Sequence, residues 1–225
     1  MRIAVICAME DEIKLLAQHM EKVQTLTECG VRVTRGNIAG HTVNLCIGGV
    51  GKANAAASAQ YNISRFRCDM ILNIGLAGSC APLPLGGCVV ADKLVYHDYE
   101  MRWAAMDPPY KEFFTPDEKL SACAARALEK LNKPYVRGTV ATGDQFIESS
   151  AVKNDIVART GCACVEMEGC AVAHIAEKNG VPFAAVKVMS DNADEQGDAQ
   201  FHETMSLGGY CAESSEIIRA MLELL

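Results

Sequence analysis

A chain of 225 residues with a formal net charge of −7 can bury a sizeable core, but its charge has the wrong sign for a polyanionic partner. Its pI near 5.3 and its singly scattered Lys and Arg argue against nucleic acid and anionic membrane surfaces, both of which select basic patches. No apolar run reaches the ~18 residues of a membrane span, and a composition half hydrophobic and 22% charged is that of an ordinary globular protein, so residues 1–225 are expected to form one cytoplasmic domain.

The chain opens on RIAVICA (2–8), which reads straight into a strand with no basic start and apolar h-region ahead of it. After AMEDE, the residues Ile13, Leu16, Ala17 and Met20 recur at helical spacing. Strands are expected at 31–36 and 42–49, then an alanine-rich helix through GKANAAASAQYNISRF that opens at a glycine. Strands at 70–78 and 88–96 precede a loop over 97–115, rich in aromatics and prolines and long enough to suggest a functional segment. Thr115-Pro116-Asp117-Glu118 presents an N-cap, a proline for the first helical position and a glutamate for the capping box. A strand at 136–143 comes next. CVEMEGCAV (164–172) reads as a core strand handing over to a buried helix that stops at Gly180, and a strand at 181–191 precedes a last helix through EIIRAMLELL. Several strands are nearly continuously apolar, as strands covered on both faces are. Their alternation with helices predicts an α/β fold around a mixed, mostly parallel sheet.

The eleven cysteines are an odd number, and Cys7, Cys46, Cys88 and Cys164 fall inside predicted strands as small apolar fillers. There is no CxxC, and Cys162-x-Cys164 is too close for zinc-ligand spacing, so they are expected to be reduced core residues. GGVGKA (48–53) lacks the features of a Walker loop and of a dinucleotide fingerprint, and reads as a tight strand-to-helix turn with amides available to a ligand. His97-Asp98 reads as a satisfied hydrogen bond before a catalytic dyad. No serine or cysteine sits in a G-x-S-x-G elbow.

Ligands of open α/β sheets bind outside the carboxyl ends of the strands. Acidic residues terminate three strands here, at Glu12, Glu168 and Asp191. Any one of them is more often a helix cap or first-turn charge, but each comes after an apolar strand, and together they are expected to converge on one pocket for carboxylate acid–base chemistry.

Six segments carry a resemblance: AMEDE (8–12), GVGK (49–52), NIGLAG (73–78), VRGTVATGDQFI (136–147), VEMEG (165–169) and VPFAAVKVMSDNAD (181–194). In order and spacing the chain resembles the bacterial methylthioadenosine/S-adenosylhomocysteine nucleosidases, members of the nucleoside phosphorylase superfamily. The resemblance implies a three-layer α/β/α sandwich, usually a homodimer, that hydrolyses the N-glycosidic bond of an adenosine thioether without metal or cofactor. It makes Glu12 the base that activates water and Asp191, beside Ser190, the acid at adenine N7. Glu168 would bind the ribose hydroxyls with Met167 packed on the sugar, and Glu166 would be a supporting acid. Phe146 and the Ile147 backbone would hold adenine, with Gly78 near the base. Met9, Val50, Met101 and Phe201 would line the 5′-thioalkyl pocket, which the neighbouring subunit commonly completes, and Ala8 and Leu76 join the candidate set at their strand ends. Two positions depart from the family pattern: Leu76 replaces a small hydroxyl residue and Lys187 an arginine, both near the place implied for the attacking water. A phosphorylase, or a nucleoside-binding protein without turnover, are the rival readings; the acids of Glu10-Asp11-Glu12 disfavour phosphate, and binding alone needs no general base.

Overall fold

The computed structural model describes residues 1–207 and 209–225. Its centre is β1 (Arg2–Cys7), which runs parallel to β4 (His41–Ile47) on one side and to β5 (Met70–Ser79) on the other. Outside β4 come β3 (Val31–Ile38) and the edge strand β2 (Glu21–Glu28), both antiparallel. Beyond β5 lie β8 (Cys162–Glu166), β7 (Tyr135–Thr142), β6 (Cys88–Tyr96) and β9 (Phe183–Asp191). Among the described residues nine strands thus form one mixed sheet, and β9 returns to pair in parallel with β5. That return closes β5, β8, β7, β6 and β9 into a ring, and the strand ends that matter cluster around it.

Period-2 alternation explains why the strands read as continuous apolar runs. Along β1, Ile3, Val5 and Cys7 join the core on one face, while Ala4 and Ile6 join the core on the other. The first face is covered by α4 (Glu118–Lys130) and α8 (Gly209–Leu224), through Leu120, Ala124, Leu128, Ile217 and Met221. The second is covered by α2 (Lys52–Phe66) and α6 (Gly169–Lys178), through Ala59, Ile63, Cys170 and Val172. The result is the α/β/α three-layer sandwich. Core side chains such as Leu72 and Ile74 are sealed from solvent, and truncating either to Ala is worth about 2–5 kcal/mol.

Three local expectations need correction. The helical spacing after AMEDE yields only a 3-10 turn at Glu10–Glu12 and a short α1 (Lys14–Ala17), after which the chain enters β2. That strand is exposed along almost its whole length, so it carries no apolar alternation, and its charges suit an edge that must not pair with other chains. The helix expected to start from Thr115 is instead capped by Asp117, whose carboxylate accepts from the Leu120 N–H at 3.1 Å. The strand expected at 181–191 begins two residues late, at Phe183. Gly180 does occupy the place after the α6 cap with φ +65°, a left-handed geometry that glycine adopts without strain. The ten described cysteines are free thiols, mostly buried. No described helix is long and apolar enough to cross a membrane.

Candidate active site

Three strand ends deliver three carboxylates to one cavity. The first is Glu12, in the turn after β1. Its carboxylate accepts from the Ala8 and Met9 N–H groups at 3.0 and 2.9 Å and from the Leu76 N–H of β5 at 3.1 Å. Glycine at 75 makes room: a Cβ there would stand 2.9 Å from Glu12 Oε1. Burial raises its pKa, opposed by the Met9 N–H, the charge of Lys187 and the Leu76 and Ala8 N–H groups. A carboxylate tuned upward and held by three amides is a base of fixed orientation.

The end of β8 supplies two glutamates with different partners. Glu166 is sealed against the ammonium of Lys187, at 2.6 Å, with both side chains 1% exposed. It also accepts from the Thr142 hydroxyl and from the Glu168 and Gly169 N–H groups, at 3.0 and 2.7 Å for the amides. Burial works against its charge, but Lys187, Thr142 and the Gly169 amide outweigh it and hold its pKa below the ordinary value. Glu166 thereby satisfies the N-terminus of α6. Glu168 occupies the cap position of that helix but makes no side-chain cap bond. Its Oε1 instead accepts from the Gly51 N–H at 2.8 Å, across the site. Burial first, then the charge of Glu166, push its pKa up to about 7.

The third acid is Asp191, at the end of β9. The register between β5 and β9 slips at Ala77/Gly78, so Gly78 faces Asp191 and Ser190 is passed over. Such slips beside sites re-aim side chains. Ser190 Oγ donates to Asp191 Oδ2 at 2.7 Å and the Ala193 N–H to Oδ1 at 2.8 Å. Gly78 allows the approach, since a Cβ there would lie 2.9 Å from Asp191 Oδ1. Burial raises the aspartate's pKa, with the Ser190 and Ala193 bonds opposing.

Glu12, Glu168 and Asp191 all line a single cavity of about 280 Å³, on the scale of a small-molecule site. Ala8, Met9, Val50, Leu76 and Gly78 form part of its wall, as do Phe146, Ile147, Glu166, Met167, Ser190 and Phe201. Phe146 and Phe201 stand edge to face at its mouth, ring centroids 5.5 Å apart. None of the described lining residues is Lys, Arg or His. Among the described residues no group of three or more His, Cys, Asp or Glu is arranged to hold a metal ion.

Met101 is the candidate that the structure does not bring to this cavity. It opens the short helix α3 (Met101–Ala104) and packs against the core cluster on the α2/α6 face. Lys187 likewise stands outside the lining, because its ammonium is committed to Glu166. Of the two departures from the family pattern, only Leu76 reaches the cavity surface. Sequence reasoning passed over Gln145, Ala77 and Val165, which also line the cavity; all three lie inside quoted motifs, and the strand-end rule applied residue by residue would have found them. It also passed over Gly75, whose missing side chain seats Glu12.

An α/β/α sandwich with acids at three strand ends, around a cavity whose described lining holds no cation, is a framework for acid–base chemistry on a small ligand. The chain belongs to the phosphorylase superfamily, whose family model matches residues 2–223. It is similar to the 5′-methylthioadenosine/S-adenosylhomocysteine nucleosidase of Neisseria meningitidis, solved with methylthio-immucillin-A: 30% identity over 100% of this chain and 99% of that one, TM-score 0.94. The corresponding nucleosidase of Colwellia psychrerythraea 34H, solved with adenine, is 30% identical over 99% of this chain and 94% of that one, TM-score 0.91. The futalosine hydrolase of Helicobacter pylori strain 26695 is 27% identical over 100% and 98%, TM-score 0.92.

Proposed function

We propose that this protein is a hydrolase that cleaves the N-glycosidic bond of 5′-methylthioadenosine and S-adenosylhomocysteine, giving adenine and a 5-thioribose. The observation that carries the reading is the meeting of Glu12, Glu168 and Asp191 in one cavity whose described lining holds no cation. Departure of adenine leaves an oxocarbenium-like sugar. Glu168, accepting from the ribose hydroxyls, supplies negative charge beside it, in bonds that strengthen as the charge develops. Asp191, its pKa raised by burial, donates the proton that lets the purine leave. Glu12, aimed by three amides, takes a proton from the attacking water. Phe146 and Ile147 cover the base, and Met9, Val50 and Phe201 face the 5′ group.

Hydrolysis is preferred to phosphorolysis because phosphate entering this cavity would meet carboxylates and no described cation to hold it. Similarity to a futalosine hydrolase favours one second reading, a bulkier 5′ substituent on the same chemistry. We also infer a cytoplasmic homodimer serving methionine salvage. Tyr99, Trp103, Met106, Tyr110 and Phe113 are exposed along the 97–115 segment, an apolar set suited to a second subunit. A panel of 5′-substituted adenosines, assayed for free adenine with and without phosphate, tests the proposal. Strict phosphate dependence would turn it into a phosphorylase, and tight binding without adenine release would turn it into a receptor.

A further inference from the structure

Behind Glu168 three chain segments meet, and one lysine and one aspartate tie them together. Lys52 opens α2, Asp98 lies just past β6 and Asp144 just past β7. The Lys52 ammonium lies 2.6 Å from Asp98 Oδ1 and sits over the Tyr96 ring, 5.5 Å from its centroid. The other oxygen of Asp98 accepts from the Asp144 N–H at 2.7 Å, and Asp144 in turn accepts from the Lys52 N–H at 2.8 Å. The Lys52 and Asp98 side chains are 22% and 20% exposed, so this pair is less screened than an ordinary surface ion pair. The loop closes on itself: each segment is bonded to the next.

Immediately before Lys52 stands Gly51, whose N–H is, among the described residues, the one donor to the Glu168 carboxylate. Its φ of +99° is open to glycine and strained for other residues. The Gly51 N–H shares a peptide plane with the Val50 carbonyl, which accepts from Asn54 Nδ2 at 2.7 Å. The next plane, which carries the Lys52 N–H, is held by Asp144, and Asp144 is held in turn by Asp98, the partner of the Lys52 ammonium, so the Lys52–Asp98 pair restrains Gly51 from its C-terminal side. With Oε1 of Glu168 engaged by Gly51, Oε2 has no described partner and is left for a ligand.

We propose that Lys52 and Asp98 are positioning residues, which fix the Gly51 amide against Glu168 so that its free oxygen meets the ribose hydroxyls. The proposal rests on the reading of Glu168 as the ribose ligand. Neither residue touches the substrate; each acts through the Gly51 N–H, as outer residues orient inner ones at other sites.

The test compares 5′-methylthioadenosine with its 2′-deoxy analogue in wild type, Lys52→Met, Asp98→Asn and the double variant. The expected result is a loss of about tenfold in kcat/KM on the ribosyl substrate for either single variant, and less than about twofold on the deoxy one. The double variant should lose no more than the singles, because the two groups act as a unit. Lys52→Arg, which keeps the charge, should restore most of the rate. Equal losses on both substrates mean a merely structural role and overturn the proposal, as does additivity in the double variant. Thermal midpoints are taken alongside, and if Lys52→Met unfolds, Asp98→Asn carries the comparison. A wild type that binds both compounds but releases no adenine fails the hydrolase reading instead. The same four proteins then report through Kd, where a penalty that ignores the 2′-hydroxyl overturns the positioning role.

Discussion

Glu166 and Glu168 leave the same strand two residues apart, both are buried, and their surroundings drive them in opposite directions. Glu166 has an ammonium, a hydroxyl and two amides, and remains an anion. Glu168 has one amide and a cavity, and its pKa climbs to about 7. By satisfying the first amides of α6, Glu166 relieves Glu168 of the capping duty that its position would otherwise assign. One carboxylate is thus spent on holding the fold, which leaves the next one free for a ligand. The same contrast separates the three acids proposed to act in the cavity from the one whose charge is balanced in the cavity wall by Lys187.

If that division is right, substitutions in the two groups should be read by different measurements. The largest effect is expected from Asp191→Asn, a fall in kcat for adenine release of about 10²–10⁴-fold with little change in thermal midpoint. An untouched rate would remove Asp191 from the chemistry. Lys187→Met should do the reverse. It leaves Glu166 buried without its counter-charge, at a cost of about 3–5 kcal/mol of stability in a urea titration; a cost near zero would mean that the pair is not what holds this end of β8.

Glu168→Gln addresses pH. A carboxyl whose folded pKa is raised binds its proton more tightly folded than unfolded. Its contribution to stability is therefore complete below the ordinary glutamate pKa and fades as pH rises through about 7. The variant should lose that fading, seen as a flatter unfolding free energy between pH 4 and 7. The kcat/KM of wild type should fall by about tenfold per pH unit below this pKa as Glu168 takes up its proton, a limb absent in the variant. A pH profile identical in both proteins breaks the assignment. The smallest effect is expected from Leu76→Ser, which places a hydroxyl on the cavity wall beside the Glu12 carboxylate. A change in kcat of less than about tenfold, with stability kept within about 1–2 kcal/mol, would tie this position to the attacking water; an unchanged kcat would cut that tie.

Much of the molecule was legible along the chain. The layered fold comes from strands such as MILNIGLAG, apolar on both faces, alternating with helices, one of which stops at Gly180 as its sequence implies. The acids at 12, 168 and 191 stood out because each ends an apolar run. Less legible was β2, an edge strand with no buried face to leave a pattern. The helix start at Glu118 was misplaced because Thr115 and Asp117 both qualify as caps, and only contact with the Leu120 amide distinguishes them. Met101 was assigned to the 5′ pocket by resemblance; within one chain it lies outside the cavity lining and packs against the core.

By itself the sequence determined most of the strands and the apolar core, and pointed to carboxylates as the candidate reactive groups, because hydrophobic periodicity and residue chemistry are local properties. Periodicity could not distinguish the two glutamates of VEME, and the resemblance assigned them roles without the physical cause. That depended on Lys187 arriving from β9 and Gly51 from the head of α2, both distant along the chain. A carboxylate's protonation and its task are set by the charges and donors within a few ångströms, and only the closed sheet decides which those are.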